Sequence, residues 1–383
     1  MEGSVSGSTS MPVLALNAGS SSLKFGLYAV DGQASRVLVS GSAETSGERE
    51  GRFAAKDSDG NAIECDRRPI GTPQEAVDRI AGLLAARNLP RPAAIGHRIV
   101  HGGSSCRRHC LIDASVMQQL EAAKVFAPLH VPPALALVRC AQEFFPGIAQ
   151  AACLDTAFHA GMPDVASTLP IPRELRAIGI ERYGFHGLSC ESIVRQLGSD
   201  LPPRLVIAHL GHGASVTAVA NGQSVDTSMG LTPSGGVMMS TRCGDIDPGV
   251  IAYLVRESHY DADRLETMID HRSGMVGVSG LSGDMRELHA AAGSNEGARL
   301  AIAMFVYSVR KQIGAMAAAL GGIDLLVFTG GIGENDAAVR KDICAGLQGP
   351  MLRTDSDVRV IPAQEDVQIA LHTRQLVMAA SSV

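Results

Sequence analysis

The sequence predicts an α/β protein made of two similar units. Apolar runs of strand length alternate with helix-period segments along its 383 residues, the pattern of layered sheets and helices. One design also occurs twice. PVLALNAGSSSLKFGLYAV (12–30) and RLVIAHLGHGASVTAVANG (204–222) each read as an apolar run, a Gly-containing turn and a second apolar run. Gly19 then matches Gly211 at an offset of 192, half the chain, as expected if two related units had been joined, each offering one turn to a shared cleft. The length fits two or three domains.

Taken in order, residues 1–10, MEGSVSGSTS, read as a disordered leader, since they have neither the basic start nor the apolar core of a targeting signal. The first repeat at 12–30 is a β-hairpin: two strand-like runs flank a Gly/Ser cluster. PQEAVDRIAGLLAARN (73–88) is a helix, with Ala76, Val77, Ile80, Leu83 and Leu84 on one stripe. ASVMQQLEAAKVFA (114–127) is another. The Pro132–Pro133 pair then breaks the chain before a further helix. In the second half, EGARLAIAMFVYSVRKQIGAMAAALGG (296–322) is one long helix or a helix pair closed by Gly321–Gly322, and IDLLVFTGG is a buried strand. A last helical pattern, 365–380, is expected to pack back against another domain.

Composition removes several function classes. With 45% hydrophobic and 19% charged residues the chain can bury large cores and is not disordered. Its net charge of −6, with no block of like charge, excludes a nucleic-acid partner. The mid-chain stretch free of Asp, Glu, Lys and Arg, Leu205–Val225, holds two histidines, an asparagine and three glycines, unlike a membrane span of about 20 apolar residues. A soluble protein with no membrane partner is expected. Eight dispersed cysteines fit a reducing cytoplasm rather than a disulfide scaffold. His101, Cys106, His109 and Cys110 are the tightest ligand-type group, but Cys-x3-Cys without a second ligand pair does not make a zinc site.

Chemistry concentrates in loops. There is no Gly-Lys dipeptide, so the Walker A loop is absent. Three glycine turns follow predicted strands instead: NAGSSSLK (17–24), HLGHGAS (209–215) and FTGGIGEN (328–335). Backbone N–H groups in such turns bind phosphate oxygens, and the first contains Lys24, one of only five lysines. Three turns together point to a phosphate site between domains. GHRIVHGG (96–103), DTAFHAG (155–161), RYGFHG (182–187) and STRCGDIDPG (240–249) add imidazole, guanidinium and carboxylate groups. Taken singly, His97, His101, His159 and His186 each read as a structural histidine satisfied by neighbours. Jointly they argue for catalysis. Neither G-x-S-x-G nor HExxH is present, so a serine hydrolase or zincin lacks support.

These blocks, with LNAGSSSLKF, APLHVPPAL, DTSMGLTP, SGLSGDMREL, VFTGGIGEN and IPAQED, resemble the acetate kinase family of the acetate/sugar kinase and actin superfamily across residues 12–380. The resemblance implies duplicated actin-like (ribonuclease H-like) βββαβαβα domains with an interdomain active-site cleft. An N-terminal domain of residues 11–156 with a C-terminal helix 366–383 and a C-terminal nucleotide-binding and dimerisation domain of residues 157–365 are expected. It further implies a cytoplasmic homodimer that reversibly transfers the γ-phosphoryl group of ATP to acetate, giving acetyl phosphate and ADP, with Mg²⁺ or alternatively Mn²⁺. In-line transfer demands positioning and charge neutralisation, which arginine, histidine, lysine and a divalent ion supply.

By the same resemblance Arg98 holds the substrate carboxylate, and Arg242 contacts the carboxylate or the transferring group. His186 stabilises transition-state charge. Asp155 orients the nucleophile or organises Mg²⁺ and is not a general base, because the carboxylate substrate is already ionised. Asn17 and Glu365 match the metal positions. Ser20, Ser22 and Lys24 line the first phosphate turn. His209, Leu210, Gly211, His212 and Gly213, then Asp284, Met285 and Arg286, then Gly330, Gly331, Ile332, Gly333 and Glu334, match the nucleotide contacts. Val100, Leu129, Phe185 and Pro233 match an apolar pocket for the acyl tail, although each alone reads as core packing. One methylene changes the preference of such a pocket by only about 1–3 kcal/mol, so propionate or butyrate kinase is the close alternative.

The chain departs from the family pattern at His212, where an asparagine is usual, at Leu188-Ser189-Cys190 in place of Thr-Ser-His, at Ser234-Gly235, and at Ser240 and Cys243 beside Arg242. The charged set is intact, so an active enzyme is expected. His212 also raises the alternative of a catalytically weak nucleotide-binding paralogue.

Overall fold

The computed structural model describes residues 10–19, 22–32, 34–44, 52–66, 70–347 and 357–382. Apart from Ser10, the leader lies outside the described residues. The chain divides into two compact units, Met1–Ala157 with Gln364–Val383, and Phe158–Ala363.

The first unit is built on eight strands: β1 (Met11–Ala18), β2 (Ser22–Asp31), β3 (Ala34–Glu44), β4 (Phe53–Asp57), β5 (Ala62–Asp66), β6 (Ala94–Ile99), β7 (Cys110–Leu111) and β8 (Ala149–Leu154). Their order is β5-β4-β3-β2-β1-β6-β8-β7. β1 to β5 form an antiparallel meander, and β6 and β8 run parallel to β1. Strand alternation puts Leu14 and Leu16 of β1 with Phe25 and Leu27 of β2 in one core, where they meet Val77, Ile80 and Leu84. These last three come from the helix Pro73–Ala86, whose five stripe residues are all buried. Thr72 caps that helix by accepting from the Glu75 N–H, and Pro73 opens it, a cap that contributes about 1 kcal/mol. Gly96 of β6 permits the helix Glu365–Ala380 to lie against the sheet. A Cβ there would stand 2.2 Å from Thr373 Oγ1 and 2.6 Å from Ile369 Cγ2. The last helix thus returns to the unit formed by the start of the chain.

Two readings of the first half change. Pro132 and Pro133 do not break the chain before a helix but lie in the first turn of the helix Val131–Phe144, where no N–H is required of them. The 114–127 segment is α-helical only over Ala114–Ala122 and tightens to a 3₁₀ turn over Ala123–Phe126.

The second unit carries β9 (Arg204–Leu210), β10 (Ala214–Ala220), β11 (Gln223–Thr227), β12 (Leu325–Thr329) and β13 (Asp357–Val360), in the order β11-β10-β9-β12-β13. Three antiparallel strands are followed by two parallel to the first. The first unit has the same succession in β3-β2-β1-β6-β8, so the sequence repeat is a repeat of topology. Gly19 and Gly211 occupy equivalent turns, β1 to β2 and β9 to β10, and Asn17 and His209 occupy equivalent strand positions. Glu296–Leu320 is a single 25-residue helix, ended by Gly321 in the left-handed conformation with φ +71°. The 328–335 segment is less of a turn than expected: after β12 the residues Gly330–Asn335 form a short helix. Gly330 begins it at φ +79°, close against the Leu210 backbone, where a Cβ would stand 2.8 Å from the carbonyl oxygen. Among the described residues no helix is long and apolar enough to cross a membrane.

Candidate active site

In the first unit, charged groups gather where β1, β6 and β8 end and the last helix begins. Arg98, on β6, donates from Nε and Nη2 to Asp155 Oδ2 at 2.9 and 2.6 Å. Asp155 directly follows β8, and its N–H donates to the Ile99 carbonyl at 3.0 Å. The remaining arm of the guanidinium, Nη1, reaches Asn17 Oδ1 and the Ala18 carbonyl, each at 3.4 Å. Asn17 Nδ2 in turn donates to Glu365 Oε2 at 3.1 Å and Asp366 Oδ1 at 2.7 Å. One amide and one guanidinium therefore tie three carboxylates together. Lys24 stands opposite Asn17 in the β1–β2 register. Ser22, at the start of β2, accepts the Gly19 N–H through its carbonyl at 2.8 Å, and Ser20 lies outside the described residues.

Burial lowers the Arg98 pKa, but the charges of Asp155, Glu365 and Asp366 overcome it and hold the guanidinium above its ordinary value. Asp366 is pushed up from the carboxylate range by burial, with Glu365 acting in the same direction and Asn17, Lys24 and Arg98 opposing. Sequence reasoning passed over Asp366, although it is the neighbour of Glu365.

In the second unit, His186 and His209 stack with ring centroids 4.2 Å apart. Each has a serine at Nδ1: Ser215 for His186 at 2.9 Å and Ser189 for His209 at 2.8 Å. Neither serine was singled out as a site residue from the sequence. His186 is in the left-handed conformation, φ +59°, directly before the helix Gly187–Leu197, a backbone state that a non-glycine residue holds only with support. That support comes from His159. Its Nε2–H donates to the Phe185 carbonyl at 2.9 Å and its Nδ1 meets Ser224 Oγ at 2.8 Å. Buried and down to a pKa of about 4, His159 is neutral.

Gly213 brings His186 and Arg242 together: a Cβ on it would stand 3.2 Å from His186 Nε2 and 3.4 Å from Arg242 Nη1. Arg242 Nη1 also donates to the Pro233 carbonyl at 3.3 Å. The β9–β10 turn is closed by Gly211 N–H to the Gly213 carbonyl at 2.9 Å. Leu210 is fully buried, so only its backbone faces the turn. His212 is shifted below its ordinary value by burial and by Arg242, with Asp284 opposing.

The other expected nucleotide residues are placed less directly. Asp284 caps the helix Met285–Ala291 by accepting the Arg286 N–H, and the Arg286 guanidinium clasps the same carboxylate at 2.6 and 3.1 Å. That clasp lowers the Asp284 pKa to about 2. Met285 is buried. Glu334 Oε1 accepts from the N–H groups of Gly330 and Ala363 at 3.0 and 3.1 Å, so its carboxylate holds the backbone of Gly330–Glu334. Val100 and Leu129 belong to the first unit, Phe185 and Pro233 to the second. Phe185 is buried in its own unit and Leu129 is exposed. His97 and His101 match their structural reading. His97 Nε2 bonds Gln150 Oε1 at 2.7 Å, and His101 Nδ1 accepts the Gly103 N–H at 2.9 Å. His109, of the same loop, accepts the Leu154 N–H at 3.0 Å.

A model of the acetokinase family matches residues 12–379. The chain is 41% identical to acetate kinase 2 of Neisseria meningitidis serogroup A over 95% of this chain and 98% of that one. It is 36% identical to acetate kinase of Parabacteroides distasonis over 96% and 99%. Among solved structures, a propionate kinase from Francisella tularensis is similar with a TM-score of 0.87 at 34% identity, covering 96% of this chain and 100% of that one. Acetate kinase from Porphyromonas gingivalis gives 0.82 at 33% identity, with the same coverage. The chain belongs to the acetokinase family.

Proposed function

We propose that this protein is an acetate kinase that reversibly transfers the γ-phosphoryl group of ATP to acetate, with acetyl phosphate and ADP as products. The observation that carries the reading is the network of Asn17, Arg98, Asp155 and Glu365, drawn from four distant chain segments. An acetate oxygen attacks the γ-phosphorus as the bond to the ADP oxygen breaks. Acetate is ionised at neutral pH and needs no base. Arg98 meets its carboxylate, and Asp155 fixes the guanidinium that does so. His186 and Arg242 neutralise charge on the phosphoryl oxygens. Main-chain N–H groups of Gly211–Gly213 and Gly330–Gly333 serve the nucleotide.

The donor set around Asn17 fits a hard divalent cation. It offers amide and carboxylate oxygens, and buried Asp366 resists ionisation unless positive charge is near. Asn17, Glu365 and Asp366 would hold Mg²⁺, and Mn²⁺ suits the same oxygens. When bound, the ion would supply charge neutralisation at the phosphates. We also infer a cytoplasmic homodimer. Leu300, Met304 and Tyr307, exposed on one face of the helix Glu296–Leu320, suit an apolar contact.

Incubation with Mg-ATP, hydroxylamine and a single acid, read as the acyl hydroxamate, tests the reading. Acetate is expected to give the highest kcat/KM; absence of product from acetate, propionate and butyrate alike would defeat it. The likeness to the F. tularensis propionate kinase keeps propionate as the second reading, and the same assay ranks the two.

A further inference from the structure

The segment from the end of β6 to the start of β7 holds two cysteines whose chemistry the transfer reaction does not use. Cys106 and Cys110 have their Sγ atoms 3.5 Å apart. A disulfide bond is about 2 Å long, so a small rotation about each Cα–Cβ bond closes the gap. The backbone around them is already fixed. Cys106 N–H donates to the Gly102 carbonyl at 3.2 Å, and Cys110 is paired with Ala152 across β7 and β8. Cys106 is buried beside Ile99, Leu120 and Val131, and Cys110 is partly open to solvent. The thiol–thiol hydrogen bond also eases the first ionisation of the pair and opposes the second.

We propose that Cys106 and Cys110 are a reversible oxidation site, a dithiol that a peroxide converts to an intrachain disulfide. One sulfur, as thiolate, attacks a peroxide oxygen of H₂O₂. The O–O bond breaks, hydroxide leaves and takes up a proton as water, and the sulfur becomes a sulfenic acid. The second thiol gives up its proton and attacks that sulfur, the S–OH bond breaks, and a second water leaves. Two electrons pass from the two thiols to the peroxide. A dithiol reductant reverses the change by thiol–disulfide exchange.

The consequence falls on the carboxylate side of the reaction, an extension that rests on the roles proposed for Arg98 and Val100. Cys106 follows Val100 by six residues in the same connection, and Cys110 pairs with β8, the strand that leads to Asp155. Rotating the Cys106 side chain to close the ring changes its packing in the cluster with Ile99, the residue between Arg98 and Val100.

Arg107 and Arg108 lie between the two cysteines, so trypsin separates them, and the two peptides stay together only through a disulfide. The whole protein is treated with H₂O₂, unreacted thiols are alkylated, and the digest is read by mass spectrometry. A linked Cys106–Cys110 peptide pair is expected, two hydrogens lighter than the reduced peptides together and lost on reduction with dithiothreitol. Alkylation of both cysteines after peroxide, over-oxidation of one with the other free, or linkage to Cys153 instead would overturn the site. This map needs no activity, so it stands apart from the kinase reading. For the extension, the acetate KM of the oxidised enzyme is expected to rise about threefold with the ATP KM unchanged. A Cys106→Ser/Cys110→Ser variant is expected not to respond. An unchanged acetate KM in fully linked protein would overturn the coupling.

Discussion

Arg98 places two N–H groups on a single oxygen of Asp155, at 2.9 and 2.6 Å, while its third arm turns to Asn17. This grip fixes the plane of the guanidinium, so the aspartate orients a cation. Asp155→Asn retains the shape and removes the charge. Turnover is expected to fall by roughly 10²–10³-fold, and Asp155→Ala is expected to do at least the same. Hydroxamate rates measured beside thermal unfolding check this; a folded Asp155→Asn enzyme with near-normal turnover would contradict the role.

Gly213 is small where an imidazole and a guanidinium meet beside it. The Cβ of Gly213→Ala would press on His186 Nε2 and Arg242 Nη1 at 3.2 and 3.4 Å, distances at which the flexible arginine yields first. Since displacement of a catalytic group by about 1 Å costs up to roughly 10²-fold, kcat is expected to drop by about tenfold or more. Unfolding by urea should be nearly unchanged. Wild-type kcat in this variant would show that the convergence is incidental.

Much of this arrangement was legible in the sequence because it rests on local pattern. The two hairpins announced themselves through apolar runs around glycine, and the stripe of the helix Pro73–Ala86 is buried as its spacing required. Features that depend on a partner from elsewhere in the chain were not legible. Ser189 and Ser215 are ordinary serines until strand packing sets them against His209 and His186. Asp366 gains its meaning from the Asn17 amide, 349 residues away. Pro132 and Pro133 misled because proline ends a helix from inside but is welcome in its first turn. The meander strands β4 and β5 are five residues each, too short to show a period.

Asp366 should matter more for metal than for folding. Its pKa is raised in the fold, chiefly by burial, so the unfolded chain ionises it more readily and its charge opposes folding above the ordinary carboxylate value. Asp366→Asn is therefore expected to leave metal-free stability unchanged or higher. The Mg²⁺ concentration for half-maximal rate is expected to rise about tenfold or more. In the wild type the Mg²⁺ requirement should increase as pH falls through the raised pKa. Titration of activity with Mg²⁺ at several pH values, beside urea unfolding, checks both halves.

His212 should make nucleotide affinity depend on pH. Burial and Arg242 hold its imidazole below the ordinary value of 6.5, so it is neutral at pH 7 and gains a charge as the solution becomes acidic. A positive charge near the nucleotide phosphates favours binding. The ATP KM is expected to fall as pH drops through the lowered His212 value in the wild type and to stay flat in His212→Asn. Parallel profiles for the two proteins would remove His212 from the nucleotide site.

Two buried histidines, His97 in the first unit and His159 in the second, are both brought down from 6.5 to about 4. Between those values the unfolded chain binds a proton that the folded unit refuses, so unfolding free energy increases with pH in this window. The stability of each unit is complete above pH 6.5 and declines as pH falls toward 4, by up to roughly 3 kcal/mol per histidine. Urea unfolding from pH 7 to pH 4 should follow that course. His97→Gln should flatten the slope of the first unit by about one proton, with the second unchanged, and His159→Gln should do the reverse. Slopes unaltered by both substitutions would place the acid sensitivity in carboxylates such as Asp284, whose pKa is lowered to about 2 and whose contribution is lost only at lower pH.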